Sequence, residues 1–130
     1  TTLVAAEPRD ASALNYVGYT LIEKADSLGR ARTLLQRALE LSPDSAFILD
    51  SYGWLLLRSG SLDRARPYLE RAARLSPAEP DVILHLAELR WLTGERKDAL
   101  ALFRRAESLA LSPPLQAKIR QRKQILQVRP

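Results

Sequence analysis

The chain repeats itself at a fixed interval. Ala31, Ala65 and Ala99 lie 34 residues apart, and so do Leu35, Leu69 and Phe103, and Ala38, Ala72 and Ala106. A period of this length means one small supersecondary unit copied along the chain, each copy burying its apolar face against the next. Within a unit the pattern is helical twice over. Leu49, Tyr52, Gly53 and Leu56 fall at i, i+3, i+4 and i+7, the spacing of one helix face. Gly60 suits the left-handed residue after a helix end, and Ser61 is placed to cap the next helix. That helix carries Leu62, Ala65, Leu69 and Ala72, and Pro77 stops it. Prolines close the units at Pro8, Pro43, Pro77 and Pro113. The reading is all-α: helix, short turn, helix, stacked.

One dipeptide in this pattern is informative. Gly53 sits mid-helix, where glycine costs about 1 kcal/mol relative to alanine. Its counterparts one unit away are Gly18 and Ala87. A small residue at that place lets the two helices of a hairpin approach closely. Trp54 follows directly, rotated by about 100° around the helix, so the two side chains cannot share a face.

A 34-residue helix–turn–helix with small residues at unit positions 8, 20 and 27 resembles the tetratricopeptide repeat. The likeness covers residues 11–113: unit one 11–45, unit two 46–79, unit three 80–113. Residues 1–10 read as the remnant of a preceding helix, and 114–130 as a basic capping helix with Leu115, Ile119 and Leu126 on one stripe. The resemblance implies a single domain, a right-handed superhelical solenoid of three units plus the cap, expected to be part of a longer protein. There are departures. Unit one has one extra residue around "KADSLG". Unit three has Arg90 at a usually apolar position, Leu111 at position 32, and two extra residues before its proline. Those two residues predict a longer second helix or a looser exit turn.

In this family the first helices of successive units line a concave groove, with unit positions 2, 5, 9, 12 and 13 facing it. Carried onto this sequence, the partner-binding candidates are Asn15 and Tyr19 in unit one, Phe47, Asp50, Trp54 and Arg58 in unit two, and Glu88 and Trp91 in unit three. Ser12, Ile22, Glu23, Leu57, Asp81, Leu84 and Leu92 complete the set. Tyrosine and tryptophan are enriched at binding hot spots. For Trp54 the groove is read ahead of packing inside the stack, for Trp91 packing is read ahead of the groove, and Asn15 and Asp50 are open to holding a peptide backbone or simply hydrating the helix.

Nothing points to catalysis. Cysteine is absent, which removes disulfides, thiolate metal sites and thiol nucleophiles. The one histidine, His85, lies between Leu84 and Leu86 and reads as a partly exposed packing residue. No HExxH pair or phosphate-binding glycine loop occurs, and no apolar run reaches the ~18 residues of a membrane span. The expectation is no enzyme activity, no cofactor, no metal, no small-molecule substrate and no membrane insertion.

Charge is unevenly placed. The net +5 equals the five basic groups of residues 114–130: Lys118, Arg120, Arg122, Lys123 and Arg129. Such a cap is read as a polar, water-facing end. Five charges alone would give only salt-sensitive, sequence-blind contact with nucleic acid, so that reading ranks below protein binding.

The first expectation is therefore a protein-interaction module, an adaptor or scaffold, gripping a partner segment in the groove. The alternative is a purely structural slice of a longer array, or self-association through exposed repeat ends. The family's carboxylate-clamp subtype, which grips chaperone tails, uses basic residues at groove positions 5, 6 and 9. This chain has Asn15, Tyr16, Tyr19, then Asp50, Ser51, Trp54, then Leu84, His85, Glu88. Asp50 and Glu88 would repel a terminal carboxylate, so a neutral, apolar or basic segment is expected. Phrases such as "ILDSYGWLLLRSG" are similar to tetratricopeptide segments of bacterial envelope lipoproteins, which places periplasm ahead of cytoplasm.

Overall fold

The computed structural model describes residues 10–24 and 27–129. They form seven α-helices in chain order: α1 Ala11–Glu23, α2 Leu28–Leu41, α3 Ala46–Arg58, α4 Leu62–Leu75, α5 Pro80–Leu92, α6 Arg96–Leu109 and α7 Pro113–Leu126. Helices pack as hairpins α1–α2, α3–α4 and α5–α6, and each hairpin stacks on the next. Helices α1, α3 and α5 form the inner, concave layer; α2, α4 and α6 back it. Of the helical remnant expected over residues 1–10, all but Asp10 lies outside the described residues.

The repeat register is visible in burial. All three alanine and leucine/phenylalanine sets are at most 1% exposed. Each large member contributes roughly 1.5–3 kcal/mol on burial. The glycines explain how these side chains fit. A Cβ on Gly53 would lie 2.6 Å from Leu69 Cδ2 and 3.2 Å from the Leu69 backbone nitrogen; on Gly18 it would lie 2.8 Å from Leu35 Cγ. The close contact offsets the intrinsic cost of a mid-helix glycine.

Caps fix the element ends. Asp10, Ser45 and Ser112 accept backbone N–H bonds from Ala13, Ile48 and Leu115. After α3, Gly60 is left-handed at φ 84°; its N–H reaches Leu57 and that of Ser61 reaches Leu56, satisfying the last carbonyls of the helix. Gly94 and Glu95 repeat this after α5. In unit one the connection is one residue longer, and Ser27, at φ 55°, takes the left-handed conformation instead.

Three expectations need correction. Ser61 stands at the N-cap, but its side chain makes no capping bond. Helix α6 is no longer than α2 or α4, at 14 residues each, because Pro113 does not close unit three. It opens α7 at the first turn, where proline's missing N–H costs nothing. Leu111, in the short connection before it, is 90% exposed. Arg90 has a use of its own: it joins Glu70 and Glu95, each at 3.0 Å, and Arg66 joins Glu95 at 2.6 Å. The Arg66 bond above all, and then that of the Thr93 hydroxyl, holds the Glu95 carboxyl down at about 2, with Arg90 adding less.

Candidate functional site: a divided concave groove

Ile48 to Leu57 and Val82 to Leu89 are all buried. Polar residues on these stretches therefore need internal partners, and those partners shape the groove.

Asp50 and His85 find each other. His85 Nδ1 lies 2.8 Å and 3.0 Å from the two Asp50 oxygens, with His85 at 0% exposure. The expectation of a partly exposed histidine is thus corrected: it is a fully buried partner for a carboxylate one repeat away. Burial pulls the His85 pKa down, but Asp50 and then Glu88 outweigh it, so the net direction is up. Burial lifts the Asp50 carboxyl as well, against the pull of His85. The ring of His85 stacks on Trp54 at 4.1 Å between centroids and 19° between planes. Trp54 Nε1–H donates to Glu23 at 3.1 Å, tying α3 to α1. Among the described residues His85 Nε2 has no hydrogen-bond partner.

The unexpected element is α7. Ile119 is fully buried among Ile83, Leu84, Ala87 and Phe103, so α7 packs where a further unit would begin. This turns two of its basic residues inward. Arg122 grips the completely buried Glu88 through two bonds of 2.8 Å and 3.0 Å; Glu88 in turn raises the guanidinium pKa. Its Cζ sits 5.3 Å from the Trp54 ring, as does that of Arg58, both within cation–π range. Lys118 crosses to the first helix. Its Nζ donates to Tyr19 Oη at 2.8 Å and Asp81 Oδ1 at 3.1 Å, with Glu23 at 3.8 Å. Burial works against its charge, yet Tyr19, Asp81 and Glu23 prevail and its pKa rises. Burial lifts the Tyr19 hydroxyl too, despite Lys118.

The Lys118 bridge divides the concave face. On one side a cavity of about 190 Å³ is bounded by Trp54, Arg58, Glu88 and the side chains of α7. On the other an open pocket of about 230 Å³ is lined by Asn15, Tyr16, Tyr19, Phe47, Asp50, Ser51, Glu79, Asp81 and Val82. Of the sequence candidates, Asn15, Tyr19, Phe47 and Asp50 meet in the open pocket. Trp54, Arg58 and Glu88 meet in the half that α7 fills, with Trp54 only 1% exposed. Trp91 belongs to neither: its Nε1–H donates to the Leu126 carbonyl at 3.1 Å, and Arg96 lies over its ring at 4.6 Å.

Two sequence arguments change. Asp50 and Glu88 are not free carboxylates in the groove, because His85 and Arg122 pair with them. The cap is not simply water-facing either: Lys118, Arg122 and Lys123 all pair with carboxylates of the body. The signal was present. Arg122 follows Glu88 by 34 residues, one repeat length, which brings opposite charges on successive inner helices side by side. Among the described residues no helix is long and apolar enough to cross a membrane, and no group of three or more acidic or histidine side chains could hold a metal.

Stacked helical hairpins of this length define a solenoid repeat protein, and sequence comparison supplies the family. The tetratricopeptide repeat model matches residues 56–121, half of the chain. The chain belongs to the tetratricopeptide repeat family. A TPR repeat-containing protein of Pseudomonas aeruginosa is 47% identical over 58 residues; the match spans 45% of this chain and 10% of that protein. A TPR protein of Thermus thermophilus superposes with a TM-score of 0.74 at 25% identity, over 98% of this chain and 69% of that one. The Yersinia enterocolitica type III secretion chaperone SycD, solved with a peptide of the translocator YopD, gives 0.69 at 18% identity, over 88% and 87%. That last likeness is one of fold.

Proposed function

We propose that this chain is a non-catalytic adaptor module that takes up a segment of a partner protein in the open half of its concave groove. The observation that carries the reading is the pocket over which Tyr16 and Phe47 stand 73% and 54% exposed. Two large rings left in water beside a concave, partly apolar pocket are the usual mark of a binding face. At about 230 Å³ the pocket is smaller than the ~300–1,000 Å³ of ordinary small-molecule sites, and it suits one or two side chains of a peptide. The tetratricopeptide chaperone solved with a translocator peptide supports a peptide as the kind of ligand. Glu79 and Asp81 at the pocket rim disfavour an acidic chaperone tail.

The test is peptide selection on the immobilised chain, followed by the Phe47→Ala variant. Selected peptides should bind the variant at least about tenfold more weakly, with its melting temperature unchanged. Equal binding to both would remove the open pocket from the reading.

Nucleic-acid binding is the weaker alternative, since three of the five basic groups of residues 114–130 pair internally. A second reading, a structural slice of a longer array, draws support from the match to a tenth of a much longer relative; concentration-dependent light scattering tests self-association. The envelope setting rests on the phrase-level likeness, and a lipoprotein signal in the parent reading frame would decide it.

A further inference from the structure

The filled half of the groove displays what this concave face accepts. Arg122 lies over the Trp54 ring with a carboxylate, Glu88, at bonding distance. Lys118 lies 5.4 Å from the Tyr19 ring centre with a carboxylate, Asp81, at bonding distance. At the first the cation lies between an aromatic face and an acid; at the second the ammonium sits between the hydroxyl edge of a phenol and an acid. The open pocket has the same components with no cation among its lining residues. Tyr16, Tyr19 and Phe47 supply the rings, and Glu79 and Asp81 supply the carboxylates. Asp50 is committed to His85. Lys118 uses Asp81 Oδ1, and Oδ2 takes no hydrogen bond from it. Asn15 lines the pocket, and its buried Oδ1 has no hydrogen-bond partner among the described residues. A buried acceptor, acidic rim groups and aromatic walls all favour a ligand that donates hydrogen bonds and carries positive charge.

We infer that the open pocket is an arginine anchor: it accepts a guanidinium from a peptide segment of a partner protein, stacked against Phe47 and Tyr16 and bonded to Asp81 and Asn15. Arginine fits better than lysine for two reasons. Its plane lies flat on an aromatic ring, and its fork can address a carboxylate and an amide oxygen at once, where an ammonium acts as a compact, strongly hydrated point charge. The inference rests on the groove reading above and sharpens it, by naming the chemistry of the residue that the groove holds.

The experiment uses the whole chain and a synthetic decapeptide library with mixed flanking positions and one fixed central residue: arginine, citrulline, lysine, leucine or tryptophan. Citrulline keeps the shape of arginine and removes its charge. Binding is read by fluorescence anisotropy on the wild type, on Phe47→Ala and on Asp81→Asn. Phe47 is 54% exposed, Asp81 is half-buried beside Lys118, and circular dichroism melts verify that the variants fold. The expected result is about tenfold tighter binding of arginine-centred over citrulline-centred peptides, a preference that disappears in both variants. Leucine- or tryptophan-centred peptides binding best, and weakening with Phe47→Ala, would overturn the arginine anchor and leave the groove reading standing. Lysine equal to arginine would also overturn it. An arginine preference that persists in both variants would place the cation elsewhere and overturn it too. Binding to none of the peptides would count against the anchor and the groove reading together.

Discussion

The two halves of the concave groove are built from the same inner helices and differ in what fills them. Phe47 and Trp54 both lie on α3, two turns apart. Trp54 is stacked on His85 and covered by Arg58 and Arg122; Phe47 is half in water. The difference lies in α7, whose inward arginine and lysine reach the lower half and the dividing bridge but go no further. A tryptophan at a family groove position has thereby become a core residue. Trp54→Ala, the natural first choice for a binding test, would mostly report stability, and Phe47→Ala is the cleaner probe.

That contrast can be broken in graded ways. The largest effect belongs to Gly53→Leu, which strikes both halves at once because α3 carries both. A leucine there meets Leu69 side chain and backbone, so the loss should exceed the ~1–3 kcal/mol of ordinary overpacking. A thermal melt should show unit two lost, and tolerance of the change would undo the repeat register. Next comes Arg122→Ala, aimed only at the filled half. It leaves Glu88 buried without its cation, at a cost of about 3 kcal/mol, measured by urea denaturation. Arg122→Ala with Glu88→Gln should recover part of that loss.

A third probe is pH, through the pair that lies beneath the dividing bridge. Both His85 and Asp50 have folded-state pKa values above their ordinary ones. A group raised in this way holds its proton more tightly in the folded chain than in the unfolded one. Its stabilisation is complete below the unfolded value and is lost as pH rises through the folded value. For His85 the unfolded value is about 6.5, so the melting temperature should fall as pH is raised above that value. The slope should flatten in His85→Gln. Trp54 fluorescence should follow the same titration, because its ring lies on the imidazole. The smallest expected effect is Phe47→Ala on stability, within about 0.5 kcal/mol for an exposed side chain, although the same change should remove peptide binding. A large destabilisation would mean that Phe47 belongs to the core and would erase the distinction between the halves.

The repeat itself was legible because it depends on small and apolar residues recurring at one interval, and Gly53, Leu69 and Phe103 obey that interval. Pairings inside the groove were harder to see. His85 looked like a packing residue because its neighbours in sequence are leucines, while its partner Asp50 lies 35 residues earlier. Helix α7 looked like a polar cap because an amphipathic stripe does not reveal whether its charged flank meets water or carboxylates. The stripe alone does not decide that; the one-repeat spacing of Glu88 and Arg122 does, once α7 is read as taking the place of a further inner helix. Trp91 shows the same limit: its unit position faces the groove in the family, yet here its indole reaches the end of α7.

The bond between Lys118 and Tyr19 joins residues 99 apart. In a linear array each unit feels only its neighbours, so fraying can start at either end and run inward one hairpin at a time. A clasp between α7 and α1 converts the described part of that line into a loop. Releasing α7 then also loosens α1, and the three hairpins are expected to melt in one transition; with Lys118→Ala the transition should broaden toward stepwise loss.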